Sequence, residues 1–120
     1  FLIAKKNKQK KILVWGTGKA SREFLFIEDL VKAILVTTEK INEVGPFNVG
    51  VGKETKIIDL VKLIKKITKF KGKVEFDNSK PDGQIRRFYD MRRFSKASGL
   101  ILKSSLYKGI NQTVRWIKNN

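Results

Sequence analysis

The chain has 120 residues, about one domain's worth, and a chain of that length buries roughly two-thirds of its unfolded surface. It holds no cysteine and no histidine, which excludes disulfides, thiolate chemistry, imidazole bases and the commonest transition-metal ligands, and its apolar stretches fall far short of the ~20 residues of a membrane span. Lys and Arg outnumber Asp and Glu 27 to 11, for a net charge of +16, so polyanions enter as a partner class from the start.

Phe1 to about Gln9 reads as the end of a basic helix entered from preceding sequence, and with Phe1 in place of Met the chain is expected to be a fragment. Lys11–Trp15 (KILVW) is a short apolar strand broken by Gly16-Thr17-Gly18. Glu23–Ile27 is expected to be extended. Glu28 and Asp29 then favour a helix N-terminus, and Leu30, Val31, Ile34 and Leu35 recur at helical spacing towards Lys40. Gly45-Pro46 is a turn, Phe47–Gly50 a brief strand, and Thr55 the expected N-cap of a second helix. That helix has an apolar stripe of Ile57, Leu60, Val61, Ile64 and Ile67, with Lys62, Lys65, Lys66 and Lys69 towards water. Lys73–Asp77 alternates as a strand, with Val74 and Phe76 inward. A polar loop over 78–84 leads to a short helix near Met91–Ser98, stopped by Gly99. A last helix begins at Ser104 or Ser105 and uses Leu106, Ile110, Val114 and Ile117. Strands alternating with helices give an α/β class, its strands too short to stand alone as a large sheet.

No acid precedes Glu23 and none follows Asp90, while Lys5, Lys6, Lys8, Lys10 and Lys11 crowd the start. A nucleic-acid-binding module is therefore the rival from another functional class. It is disfavoured because no stacking aromatics and no recognition-helix pattern accompany the charge; isolated lysines on polar helix faces read as solvated surface.

Nothing in the sequence forms a nucleophile–base pair, a paired-carboxylate site or a metal cluster. Neither Gly16-x-Gly18 nor Gly50-x-Gly52 has the three-glycine spacing of a dinucleotide fold. What remains is a set of polar residues in loops: Trp15-Gly16-Thr17-Gly18, Ser21-Arg22-Glu23-Phe24, Phe47-Asn48-Val49-Gly50, Ser79-Lys80-Pro81-Asp82-Gly83, Arg86 and Asp90-Met91-Arg92-Arg93. An arginine offers a planar, permanently charged fork to a diphosphate. An aromatic beside glycines can lie on a sugar or base, and a carboxylate accepts paired donors. Plainer readings stand beside these. Trp15 is a partly buried strand end, Arg22 a surface ion pair with Glu23 or Glu28, Asp82 a turn residue, and Asn48 a cap of its own turn.

In order and spacing these blocks resemble the C-terminal third of extended short-chain dehydrogenase/reductases that act on nucleotide sugars. Within that group they resemble the GDP-L-fucose synthase (GDP-4-keto-6-deoxymannose epimerase/reductase) family. The resemblance covers the whole chain, and Arg22-Glu23-Phe24 with Ser79–Gly83 carries its finer part; Phe26 departs from it, standing where relatives commonly have histidine. It implies that residues 1–120 are a sugar-nucleotide-binding domain whose NADP-binding Rossmann half lies outside the chain. It further implies that Trp15 lies along the substrate, Arg22 contacts the diphosphate, Asp82 accepts substrate hydrogen bonds, Lys80 and Arg86 line the same pocket, and Asn48 sits close by. No catalytic residue and no metal ligand maps onto the chain. The implied partners are a GDP-linked sugar, NADP(H) on the absent half and a second copy in a homodimer, in the cytoplasm. Another nucleotide-sugar epimerase or dehydratase is the alternative within the family.

Overall fold

A computed structural model describes residues 1–103 and 105–120. Helix α1 (Leu2–Lys6) leads into strand β1 (Lys11–Trp15), followed by β2 (Ser21–Glu23), α2 (Ile27–Lys40), β3 (Glu54–Lys56), α3 (Ile57–Thr68), β4 (Lys73–Asp77), α4 (Arg92–Ser98) and α5 (Leu106–Asn119). The strands form two small sheets. β1 and β4 pair in parallel, Lys11 opposite Lys73 through Trp15 opposite Asp77, a pairing that needs a long crossover; here it runs through α2 and α3. β2 and β3 pair antiparallel, with Ser21 opposite Lys56 and Glu23 opposite Glu54. An isolated bridge adds Arg86 beside Ser21. The class is α/β with short strands, as the alternation predicts.

The helices pack in two places, but the expected α2 stripe is not buried as a whole: Val31, Ile34 and Leu35 are about half exposed and only Ala33 is buried. Ala33 of α2, Phe94 of α4 and Leu102 form one core, with Leu25, Ile41, Phe47, Val49, Met91 and Leu100 packed around it. α3 packs on α5, with Val61 of α3 and Val114 of α5 buried, and Phe70, just past α3, is buried with its ring against Phe1. Gly99 closes α4 in the left-handed conformation, φ 69°, and Ser105 caps α5 by accepting the Lys108 amide; Ser104, the other expected start, lies outside the described residues. Ile117 lies at the edge of this packing, about half exposed.

Three expectations are corrected. Phe47–Gly50 is not a strand. Its alternation is real, because Phe47 and Val49 both reach the α2–α4 core, but no ladder forms there, and the amides of Val51 and Gly52 go to the Glu23 carboxylate instead. Thr55 is not a cap; it lies inside β3, and Lys56 holds the N-cap position without a side-chain bond. No cap is needed, because the amides of Ile57 and Ile58 donate to the carbonyls of Ala20 and Gly18. The extended stretch expected at Glu23–Ile27 is also shorter, since α2 begins at Ile27.

Candidate functional site

In parallel sheets the carboxyl ends of strands are where loops gather ligands. At those ends of β1 and β4 the 16–18 turn meets the 78–84 loop. The Gly16 amide donates to the Asp77 carbonyl at 3.0 Å. The Thr17 amide donates to Asp82 Oδ1 at 2.6 Å, and the Thr17 hydroxyl donates to Asp82 Oδ2. Both glycines of the turn have left-handed backbones, φ 82° and 74°. A methyl at Gly16 would collide with the Asp82 carboxylate, and one at Gly18 would come within 2.5 Å of the Phe76 ring. Asp82 thus staples the two loops together, and the Thr17 hydroxyl, more than any other group, holds its carboxyl below the ordinary aspartate range.

The staple leaves Trp15 standing out. Its side chain is 71% exposed, far more than a packed strand end, and the Lys80 ammonium lies 5.7 Å from its ring centroid, within cation–π range. Arg22, on β2, is half-buried. Its Nη1 donates to the Ser21 carbonyl at 2.6 Å, and a methyl added at Gly83, the residue after Asp82, would lie 3.9 Å from Nη2. Trp15, Lys80, Asp82 and Arg22 are therefore gathered around one pair of loops.

The other two candidates are arranged differently. Arg86 turns its guanidinium onto Glu54, Nε at 2.9 Å and Nη2 at 2.7 Å. That pairing, ahead of the Ser21 hydroxyl, lowers the Glu54 pKa, and the Arg86 pKa rises in turn. Arg86 stands beside Ser21 in the bridge, but its donor fork is occupied. Asn48 sits further round, its amide donating to the Asp90 carbonyl at 3.4 Å. Asp90 is in turn held by Arg92 at 2.5 Å, which draws its carboxyl down to about 2.

Sequence reasoning missed Thr17 and Glu54, which hold site residues in place, and Glu23, named only as a neighbour of Arg22. Glu23 Oε1 accepts the Tyr89 amide at 2.8 Å, and Oε2 accepts those of Val51 and Gly52 at 2.9 and 3.0 Å. The available signal was an acid set in an apolar run (Arg22-Glu23-Phe24-Leu25-Phe26), a position that demands nearby donors. The described residues contain no group of His, Cys, Asp and Glu able to hold a metal, and no helix long and apolar enough to cross a membrane.

A dinucleotide does not fit the glycine turns present. The space over Gly16 is taken by Asp82 and that over Gly18 by Phe76. The first amides of α3 are spent on backbone carbonyls, so they are not free to meet a pyrophosphate.

The family model described as the NAD dependent epimerase/dehydratase family matches residues 2–50. The fold is that of the C-terminal part of nucleotide-sugar epimerases and reductases of the short-chain dehydrogenase type. More particularly, the whole chain is 36% identical over 120 residues to GDP-L-fucose synthase 1 of Arabidopsis thaliana. It superposes with a TM-score of 0.91 on a GDP-L-fucose synthetase from Naegleria fowleri bound to NADP, at 28% identity, with 98% of this chain and 37% of that one covered. A UDP-glucose 4-epimerase from Thermotoga maritima, with UDP-glucose, superposes at 0.81 and 27% identity over 98% of this chain and 38% of that one. All of this chain but only 37% of the Arabidopsis relative is aligned, so the chain spans a little over a third of the length of the curated relatives it matches.

Proposed function

We propose that residues 1–120 are the sugar-nucleotide-binding domain of an NADP-dependent epimerase/reductase that converts GDP-4-keto-6-deoxy-D-mannose to GDP-L-fucose. The observation that carries the proposal is the clustering of an exposed Trp15, Lys80 and Arg22 around the stapled loops. Arg86, Arg92 and Arg93 each lie against a carboxylate, whereas the hydrogen bond of Arg22 goes to its own backbone neighbour. That leaves most of the Arg22 fork for a diphosphate. Trp15 lies along the nucleotide or sugar, and Lys80 adds a second positive charge beside it. Asp82 keeps lone pairs for substrate donors while anchored to Thr17. Arg86 and Asn48 line the pocket's far side, Arg86 through Glu54.

These residues bind and orient; they offer no hydride donor and no proton-transfer pair. NADP(H) supplies the redox chemistry when bound, and its binding and the catalytic residues fall to a Rossmann domain outside these 120 residues. The full enzyme is a cytoplasmic homodimer.

The test is titration of the chain with GDP, UDP and a single-stranded oligonucleotide at physiological salt. Saturable GDP binding that Arg22→Ala weakens tenfold or more supports the proposal. A preference for UDP would favour the second reading, a UDP-sugar epimerase, motivated by the Thermotoga superposition. Tighter binding of the oligonucleotide than of either nucleotide would overturn both.

A further inference from the structure

Glu23 and Glu54 face each other across the β2–β3 ladder, an arrangement of like charges that is ordinarily unfavourable. Each is relieved by its own donors. Glu54 takes Arg86 and the Ser21 hydroxyl. Glu23 takes three backbone amides, those of Val51 and Gly52 on one side and Tyr89 on the other. A carboxylate with three amide donors is well satisfied and hard to replace. Gly50 is closed around it, since a methyl there would come within 2.5 Å of Oε2.

The two segments that Glu23 grips are those that frame Arg22. The 85–89 segment is tied to β2 at its head by the Ser21 amide on the Ile85 carbonyl and the Arg87 amide on the Ser21 carbonyl. Tyr89 is its tail, and Gly83, next to the Arg22 guanidinium, lies just before it. The 50–52 segment continues directly into β3, whose Thr55 pairs with Arg22. Every hydrogen bond found for the Glu23 carboxylate is internal, so a ligand would sense it only through the walls it holds.

We infer that Glu23 is the positioning residue of this site: its carboxylate clamps the 50–52 and 85–89 segments onto β2 and so fixes the spacing in which Arg22 receives an anionic ligand. The inference rests on the function proposed above for its ligand half, whereas the clamp can be read without any ligand. Two variants test it. Glu23→Gln keeps the size of the side chain but turns one acceptor into a donor. Gly50→Ala leaves Glu23 charged and presses a methyl against Oε2. Amide hydrogen exchange by NMR and GDP titration are measured on the wild type and on each variant.

The expected result is that the amides of Val51, Gly52 and Tyr89 are protected in the wild type. In both variants they should exchange at least tenfold faster, with helix α5 unchanged and GDP affinity lowered at least fivefold. Uniformly faster exchange throughout the chain would show a merely structural residue and overturn the inference. Lost GDP affinity with all three amides still protected would show that Glu23 touches the ligand directly, and would equally overturn it. Wild-type amides that exchange at the open-chain rate sink the clamp whether or not GDP binds. Protected amides in a wild type that ignores GDP sink the proposed function and its ligand half while upholding the clamp.

Discussion

At the carboxyl ends of β1 and β4 and in the β2–β3 sheet the carboxylates are matched to specific donors: Asp82 to Thr17, Glu54 to Arg86, Glu23 to three amides. At the opposite, helical end, around the C-termini of α1 and α3, the charge is organised differently. Lys62, Lys65, Lys66, Lys69 and Lys71 line a shallow depression with Phe70 and no acid among its walls. Lys5 donates to the Thr68 carbonyl at the end of α3, and Lys62 meets Asp59 only at 3.9 Å with both side chains exposed. Lysines at helix C-termini complement the dipole and otherwise face water, while exposed pairs of this kind contribute almost nothing. The comparison separates two uses of charge. At the strand ends charge fixes loop shape and leaves Arg22 for a ligand; at the helical end it adds a diffuse positive field.

The sharpest way to break that distinction is to remove one charge at each end. Arg22→Ala removes a charge-assisted contact, worth roughly 1.5–3 kcal/mol, and should weaken GDP binding about ten- to a hundredfold. Lys66→Ala should leave it within about twofold. Calorimetric titration of both variants checks this, and equal losses would mean that GDP responds to the field alone. The next largest effect is on stability. Gly16→Ala forces a side chain into a left-handed backbone and onto the Asp82 carboxylate, and should cost about 2 kcal/mol or more in urea unfolding. Gly52→Ala, equally left-handed at φ 65° but with nothing within 4 Å, should cost only about 1 kcal/mol. A third, smaller effect follows from Trp15. Its exposure means Trp15→Ala should leave the unfolding midpoint unchanged, yet lower GDP affinity about three- to tenfold if the ring lies on the ligand, given about 0.5–1.5 kcal/mol for a stacked aromatic.

The sequence makes the strand-end site legible only where its signals are local. β1 is readable as a short apolar run ended by glycine and β4 as a short alternating run ahead of a polar loop, and Gly99 announces the end of α4 through its backbone alone. What fails involves partners far along the chain. The N-terminus of α3 is satisfied by carbonyls of residues 18 and 20, so the local cap signal at Thr55 misleads. Phe47 and Val49 alternate like a strand because they pack on a core, and periodicity cannot say whether a neighbouring strand exists. Arg86 looks like Arg22 in sequence; only the fold reveals that Glu54, more than thirty residues earlier, occupies it. The grouping of Trp15, Lys80, Asp82 and Arg22 is readable as an order of blocks, whereas the staple through Thr17 and the grip of Glu23 are visible only in three dimensions.

The smallest predicted effect concerns pH. The Arg92 hydrogen bond, first among its causes, lowers the Asp90 carboxyl from the ordinary 3.8 to about 2. A carboxyl depressed in the folded state stabilises the fold fully above its unfolded value, and that contribution fades as pH falls through the folded one. For Asp90 the window runs from about 3.8 down to about 2; for Glu54 and Asp82 the direction is the same. All three groups should therefore remain ionised through mildly acidic conditions, and the loops should keep their shape there. An NMR titration of the side-chain carboxyls should find the Asp90 midpoint near 2 and move it towards the ordinary range in Arg92→Ala, with little change in thermal stability because the pair is exposed. An Asp90 midpoint already near 3.8 in the wild type would mean that the Arg92 pair is open in solution, so that charge there behaves as it does at the helical end.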